Sequence, residues 1–411
     1  MHASPAQEIY AQGRGTSRTA LPDSGTRLSR ALLSYLVVLI ASLQLLPFEF
    51  AVPAVLRLSL GASPLSTLAA FAMYVPYGFL TRRARSGGRG EHLIAIILSA
   101  AMLALALETA QLFEPSSEAS VWHLLASISG AAAGAWLCER LHHDAYGTAN
   151  AVHAMLLQLP LMGLAYLLLP LLWASSASAQ NDPTRLALTV SVGLAGGSLL
   201  GSIARATRAF TPDRAWWLVP LVALVWSAIG LLPSITADWR IALGGIAAVT
   251  AFASWRGRWS APLFVERRYE APALFAASPF LVIYFLGACV WPGHSFRTIP
   301  LVHLGMPTTE AGLALALPLL EMGIAATVLG YIIAEFLGRS ESTFRETSGQ
   351  VVFWVFSILV VSETARSFFG YEGASLLRAA LSLSAAIYGA GLYHLQRTHV
   401  KALAHRINPA R

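Results

Sequence analysis

The residues of this chain best able to do chemistry are acids and arginines set inside long apolar runs. Glu108 and Gln111 lie three residues apart, so a helix puts them on one face. Glu108 falls about five residues short of the end of its run, which is about 7 Å along a helix. Glu363 and Arg366 repeat that spacing, and Arg378 lies about one turn inside the next run. Glu321 sits in the middle of ALPLLEMGIAATVLG, just after Pro318. His123 stands near the start of a further run. An ionised group at the centre of a bilayer costs about 2.5–3.5 kcal/mol, so each needs a partner or a wet cavity. Two readings stay open for the first set. Glu108, Gln111, Glu363, Arg366 and Arg378 can line an outward pocket that binds the amine or hydroxyls of a lipid or glycolipid headgroup. Alternatively, they are helix–helix glue, with Glu363 pairing to Arg366 or Arg378. Glu321 reads either as a proton- or substrate-coupling carboxylate or as a group hydrogen-bonded across helices. His123 reads as a ligand or relay group, or as a hydrogen-bonded structural residue.

Other chemistries lack their parts. His142-His143-Asp144 looks like a metal cluster, but neighbouring histidines cannot both point at one site on a helix. No metal site and no cofactor are expected. Gly130–Gly134 is a GxxxG pattern without the Lys and Ser/Thr of a phosphate loop, so it reads as close helix packing. The glycines of Gly193–Gly201 read the same way. Cys138 and Cys289 form no CxxC and have no Cys/His arrangement around them. No catalytic residue is identified, and an enzyme is not expected.

The elements that must position these residues are membrane helices. Of 411 residues, 56% are hydrophobic and 12% charged. A soluble domain carries about 25% charged residues. The fold class is therefore all-α and polytopic. Twelve apolar runs, each near the length that spans a bilayer, lie near 31–48, 62–80, 92–113, 119–138, 151–173, 185–204, 215–233, 238–255, 271–291, 310–337, 350–369 and 374–395. With both termini in the cytoplasm, 22 of the 28 cations fall on the inner side and four on the outer side. That bias is the positive-inside rule, and losing one span would destroy it. The net charge of +7 is thus explained by loop arginines rather than by nucleic acid, which is not expected as a partner. No loop is long enough for a soluble domain.

The chain also repeats itself. Residues 108–136 and 363–391 match at an offset of 255: Glu108 with Glu363, Thr109 with Thr364, Ala110 with Ala365, Ser120 with Ser375, Gly134 with Gly389. Upstream, 73–88 loosely parallels 327–342. Each copy holds four spans, so the copies share one orientation and form a parallel repeat.

The first copy resembles the VanZ-like family of bacterial membrane proteins. The resemblance rests on LLPFEF (Leu45–Phe50), Tyr74-Val-Pro76-Tyr-Gly78-Phe79, the basic loop Thr81–Gly90, Glu108-Thr-Ala-Gln111-Leu-Phe113, and Gly130, Ala131 and Gly134. Ala70, Ser117, His123 and Ser127 depart from the family's polar positions, as do Arg366, Arg378 and Ser382 in the second copy. The resemblance implies a multi-pass protein of the bacterial inner (cytoplasmic) membrane with a cell-envelope role. Expected partners are membrane lipids, either a lipid-linked glycan precursor or a phospholipid. An ion- or proton-coupled transporter and a non-catalytic scaffold stay open as alternatives. The expected layout is a polar tail (1–30), a VanZ-like four-helix domain (31–140), a middle four-helix block (141–270), a degenerate repeat (271–396) and a basic tail (397–411).

Overall fold

The structure is a computed structural model. It describes residues 24–46, 48–51, 58–59, 61, 63–85, 91–114, 119–145, 149–181, 185–208, 217–259, 270–290, 302–303, 313–338, 344–369 and 374–407. Leu- and Ala-rich runs fold as helices because only a helix satisfies its own backbone groups inside an apolar medium. The first four are α1 (Ser24–Gln44), α2 (Pro64–Ala84), α3 (Glu91–Gln111) and α4 (Val121–Ala145). The middle holds α5 (Ala149–Asn181), α6 (Leu186–Arg208), α7 (Leu218–Gly230), the short α8 (Leu232–Ala237) and α9 (Trp239–Trp259). The last four are α10 (Glu270–Val290), α11 (Leu313–Leu337), α12 (Phe344–Phe369) and α13 (Leu376–Ile407). Every one of the twelve expected spans falls on a helix.

Among the described residues, nine helices are long and apolar enough to cross a membrane. The chain is thus an all-α, multi-pass membrane protein. The other three expected spans fall on α2, α7 and α9. Helix α2 carries Ser66, Thr67, Tyr74, Tyr77 and two prolines, α7 has 13 residues, and α9 ends on Arg256 and Arg258.

Among the described residues, three helix pairs have backbones in near contact. In α2 and α4, a Cβ at Gly78 would strike the Ala131 carbonyl, one at Gly130 the Phe71 carbonyl and one at Gly134 the Val75 carbonyl. In α11 and α13, a Cβ at Gly330 would strike the Ala386 carbonyl and one at Gly389 the Thr327 carbonyl. The GxxxG pattern is packing, as expected. In the middle block, Gly197 and Gly201 of α6 likewise face the Val249 and Ala253 carbonyls of α9. Around these pairs, α5 runs as a buried axis. Its Leu161, Leu164, Leu168, Leu171 and Leu172 are fully buried against α6, α7, α8, α11 and α13. Two short parallel bridges complete the frame: β1 (Leu58–Ser59) pairs with β2 (Ala119–Ser120), and β3 (Val302–His303) with β4 (Ala374–Ser375).

The helices depart from the expected boundaries in instructive ways. Helix α1 begins at Ser24, so Arg27 and Arg30 are helical, and Gly25 packs on the His399 ring. Helix α13 runs to Ile407, so most of the basic tail continues the last helix. A helix need not stop where its apolar run stops, because charged residues are good helix formers once outside the bilayer. Besides the four helices that carry the expected spans, the middle block holds the six-residue α8, which the turn at Leu231 splits from α7. The loose alignment of 73–88 with 327–342 is two residues out of register. The backbone contacts pair Gly78 with Gly330, whereas that alignment pairs it with Ile332.

Candidate functional site

Glu108, Glu363 and Glu321 lie toward one end of the bundle, as does the buried Glu114, and Arg82, Arg83, Arg256, Arg258 and Arg397 lie toward the other. The first is Glu108, near the end of α3. The backbone N–H of Ser120 donates to its Oε2 at 2.8 Å. Ser120 sits in the β1–β2 bridge, so the bridge fixes the donor. The Nδ1 of His123, at the start of α4, lies 3.6 Å from Glu108 Oε1, beyond good hydrogen-bond distance. The other ring nitrogen of His123 meets Ser66 Oγ at 2.9 Å. Ser66 belongs to the first turn of α2, where Ser63 caps the helix and Pro64 opens it. Gln111 turns away from Glu108 chemically: its Nε2 donates to the Gln44 carbonyl at 2.9 Å and ties α3 to the end of α1. Beside it, Phe50, Ala51, Ala110 and Phe113 line an apolar groove of about 320 Å³.

The second carboxylate, Glu363, is built the same way. The N–H of Ser375, in the β3–β4 bridge, donates to Glu363 Oε2 at 2.9 Å. Here the position equivalent to His123 is Arg378. Its Nε donates to Oε1 at 3.0 Å and its Nη2 to Oε2 at 2.9 Å. The pair is bidentate and buried, with Arg378 4% exposed. Arg366 lies 3.7 Å from Glu363 and gives its other guanidinium contacts to Met322 Sδ at 3.3 Å and the Ala288 carbonyl at 3.4 Å.

The third, Glu321 of α11, is 3% exposed. Ser178 of α5 donates to Oε2 at 2.7 Å, Arg185 to Oε2 at 3.1 Å and Tyr284 of α10 to Oε1 at 2.9 Å. Three helices and the start of a fourth are thus tied to one carboxylate. Replacing Glu321 with glutamine should cost about 1–2 kcal/mol, because a neutral amide weakens the charge-assisted bonds. Thermal unfolding in detergent, followed by loss of the monodisperse chromatographic peak, measures it.

The candidate residues therefore form separate groups. Glu108 meets His123, and Glu363 meets Arg366 and Arg378. Among the described residues the hydrogen bonds and ion pairs of Glu108 stay within α1–α4 and those of Glu363 within α10–α13, while Glu321 joins α11 to α5, α10 and Arg185, so one shared cavity is not what the contacts build. The reason is topological: α3 packs on α1, α2 and α4, and α12 on α10, α11 and α13. Reading the sequence alone missed Arg185, Ser178 and Tyr284. Arg185 was legible only as a loop cation, and hydroxyl partners leave no pattern. The roles of Ser120 and Ser375 were half visible, since each follows its glutamate by 12 residues. Among the described residues no cluster of three metal-ligating side chains occurs. The side chains of His142, His143 and Asp144 lie outside the described residues, as does Ser117. No family model, no curated protein and no solved structure matches this chain.

Proposed function

We propose that the chain is a VanZ-like protein of the bacterial cytoplasmic membrane that binds an envelope lipid, either a phospholipid or a lipid-linked precursor, at the Glu108 station. In this reading it spans the membrane twelve times with both termini inside. Two parallel four-helix repeats, α1–α4 and α10–α13, flank the middle block. The duplication draws support from matched details: two Glu–Ser bridges, two parallel β pairs, and two glycine contacts at Gly78 and Gly330. The copies diverge in their first helix, because α1 packs on α2 whereas α10 packs chiefly on α6. The orientation draws support from the arginines gathered at the end away from Glu108.

One observation carries the functional reading. Both repeats hold a carboxylate by the same backbone N–H, but only Glu363 is neutralised by a bidentate arginine from its own chain. Glu108 keeps an oxygen with no donor in hydrogen-bond range among the described residues. A carboxylate held in position without a full set of donors supports a binding role, whereas one closed by a bidentate arginine supports a structural role. Glu321, closed in by three donors, fits structure rather than a coupling path.

The test is native mass spectrometry of the protein released from membranes. The wild type should retain a defined lipid, Glu108→Gln should lose it, and the wild-type mass spectrum should show one bound molecule per chain. Equal, unselective retention by both proteins would instead make this chain a scaffold.

A further inference from the structure

We infer that the Glu108 station takes the primary ammonium of a lipid headgroup, in the place that the Arg378 guanidinium fills in the second repeat. The inference rests on the lipid-binding reading above and names its ligand class.

The second repeat shows what this frame accepts. Glu363, held by Ser375 N–H, receives two further N–H donors from one cation, at 3.0 and 2.9 Å. The first repeat presents the same carboxylate on the same bridge but replaces the arginine by His123. The proton inventory then fixes what faces Glu108. The Ser66 hydroxyl donates to the Ser63 carbonyl at 3.0 Å and accepts from the Ser63 hydroxyl at 3.0 Å. Its proton is thereby used, so we assign the Nε2 proton to His123, which donates to Ser66 Oγ at 2.9 Å. Nδ1 is then a lone pair. Two acceptors, Nδ1 and Glu108 Oε1, face each other 3.6 Å apart with no proton between them. An ammonium nitrogen about 2.9 Å from each acceptor donates one N–H to each across that gap and neutralises the carboxylate. A hydroxyl has one proton for two acceptors and leaves the charge in place. A quaternary ammonium has no N–H to give.

The surroundings fit a lipid as the source. Leu105 and Trp122, which flank the station, are more than half exposed on the outside of the bundle, as are Leu98 and Met102 along α3. That stripe lies where acyl chains would lie, and it leads up to Glu108 from the side. A headgroup can therefore enter laterally without crossing the packed α2–α4 contact.

The experiment exchanges the two stations. Protein is reconstituted in vesicles of equal parts phosphatidylethanolamine, phosphatidylcholine and phosphatidylglycerol, then released for native mass spectrometry. Wild type should retain phosphatidylethanolamine about tenfold over the other two, the factor one charge-assisted hydrogen bond supplies. His123→Arg should abolish the preference, because the new guanidinium closes the station as Arg378 closes its own. Glu108→Gln should abolish it too, and serves alone if His123→Arg fails to fold. Arg378→His, where it folds, should add a second retained phosphatidylethanolamine. Retention that needs Glu108 but ignores headgroup would overturn the ammonium and keep the lipid site. Retention indifferent to Glu108 would overturn both. Stabilisation by free ethanolamine in phosphatidylglycerol vesicles, with nothing further gained from phosphatidylethanolamine, would overturn the lipid as source.

Discussion

Arg378→Met should destabilise the protein by about 3–5 kcal/mol, the cost of stranding a buried charge. Glu363 would keep the Ser375 N–H at 2.9 Å but lose both guanidinium bonds. Arg366, at 3.7 Å and already spread over Met322 and the Ala288 carbonyl, is too far to replace them. The double variant Glu363→Gln with Arg378→Met should recover most of the loss. Glutamine still offers an acceptor to Ser375, and neither position then carries charge into the apolar interior. The matched control is His123, beside Glu108. His123→Met should cost less than about 1 kcal/mol, because its carboxylate contact is long and its one close bond is to Ser66 near a helix start. Unfolding of all four proteins in the same detergent gives the comparison. Equal losses at positions 123 and 378 would show that the two stations do not differ in the way described.

The difference between these stations was only partly legible in the sequence. The pairing of Glu108 with Glu363 was visible, since Glu-Thr-Ala occurs in both runs at one offset. So was the exchange of His123 for Arg378. What could not be read was which oxygen each donor reaches, because a bridge of two residues has no periodicity to detect. Helix positions were easier. Bilayer thickness fixes how long an apolar run must be, and that constraint placed all twelve runs on helices. It says nothing about where a helix ends once outside the bilayer, so the extensions of α1 to Ser24 and α13 to Ile407 went unseen. Nor does it fix partners. Arg185 meets Glu321 across 136 residues, and Ser178 meets it across 143. Such pairs are set by how α5, α6, α10 and α11 assemble, which hydropathy does not encode.

The glycine contacts give the sharpest local test of that assembly. Gly389 and Gly391 lie two residues apart on α13. A Cβ at Gly389 would strike the Thr327 carbonyl of α11, whereas one at Gly391 meets nothing within 4 Å. Alanine is a better helix former than glycine by up to about 1 kcal/mol, because it restricts the unfolded chain. Gly391→Ala should therefore be neutral or slightly stabilising. Gly389→Ala must push two backbones apart, and overpacking of this kind costs about 3 kcal/mol when no flexible side chain can yield. Gly78→Ala in α2 should behave like Gly389→Ala, since its neighbour is the Ala131 carbonyl of α4. Leucine at either site leaves no room for the helices to meet and should prevent the folded protein from accumulating. Membrane yield and thermal unfolding in detergent read all of these. Opposite signs for two substitutions of the same kind, one turn face apart, follow only if α11 and α13 cross at Gly389. Because α2 and α4 cross in the same way at Gly78, a matching pattern there would tie the two close backbone crossings to a single design.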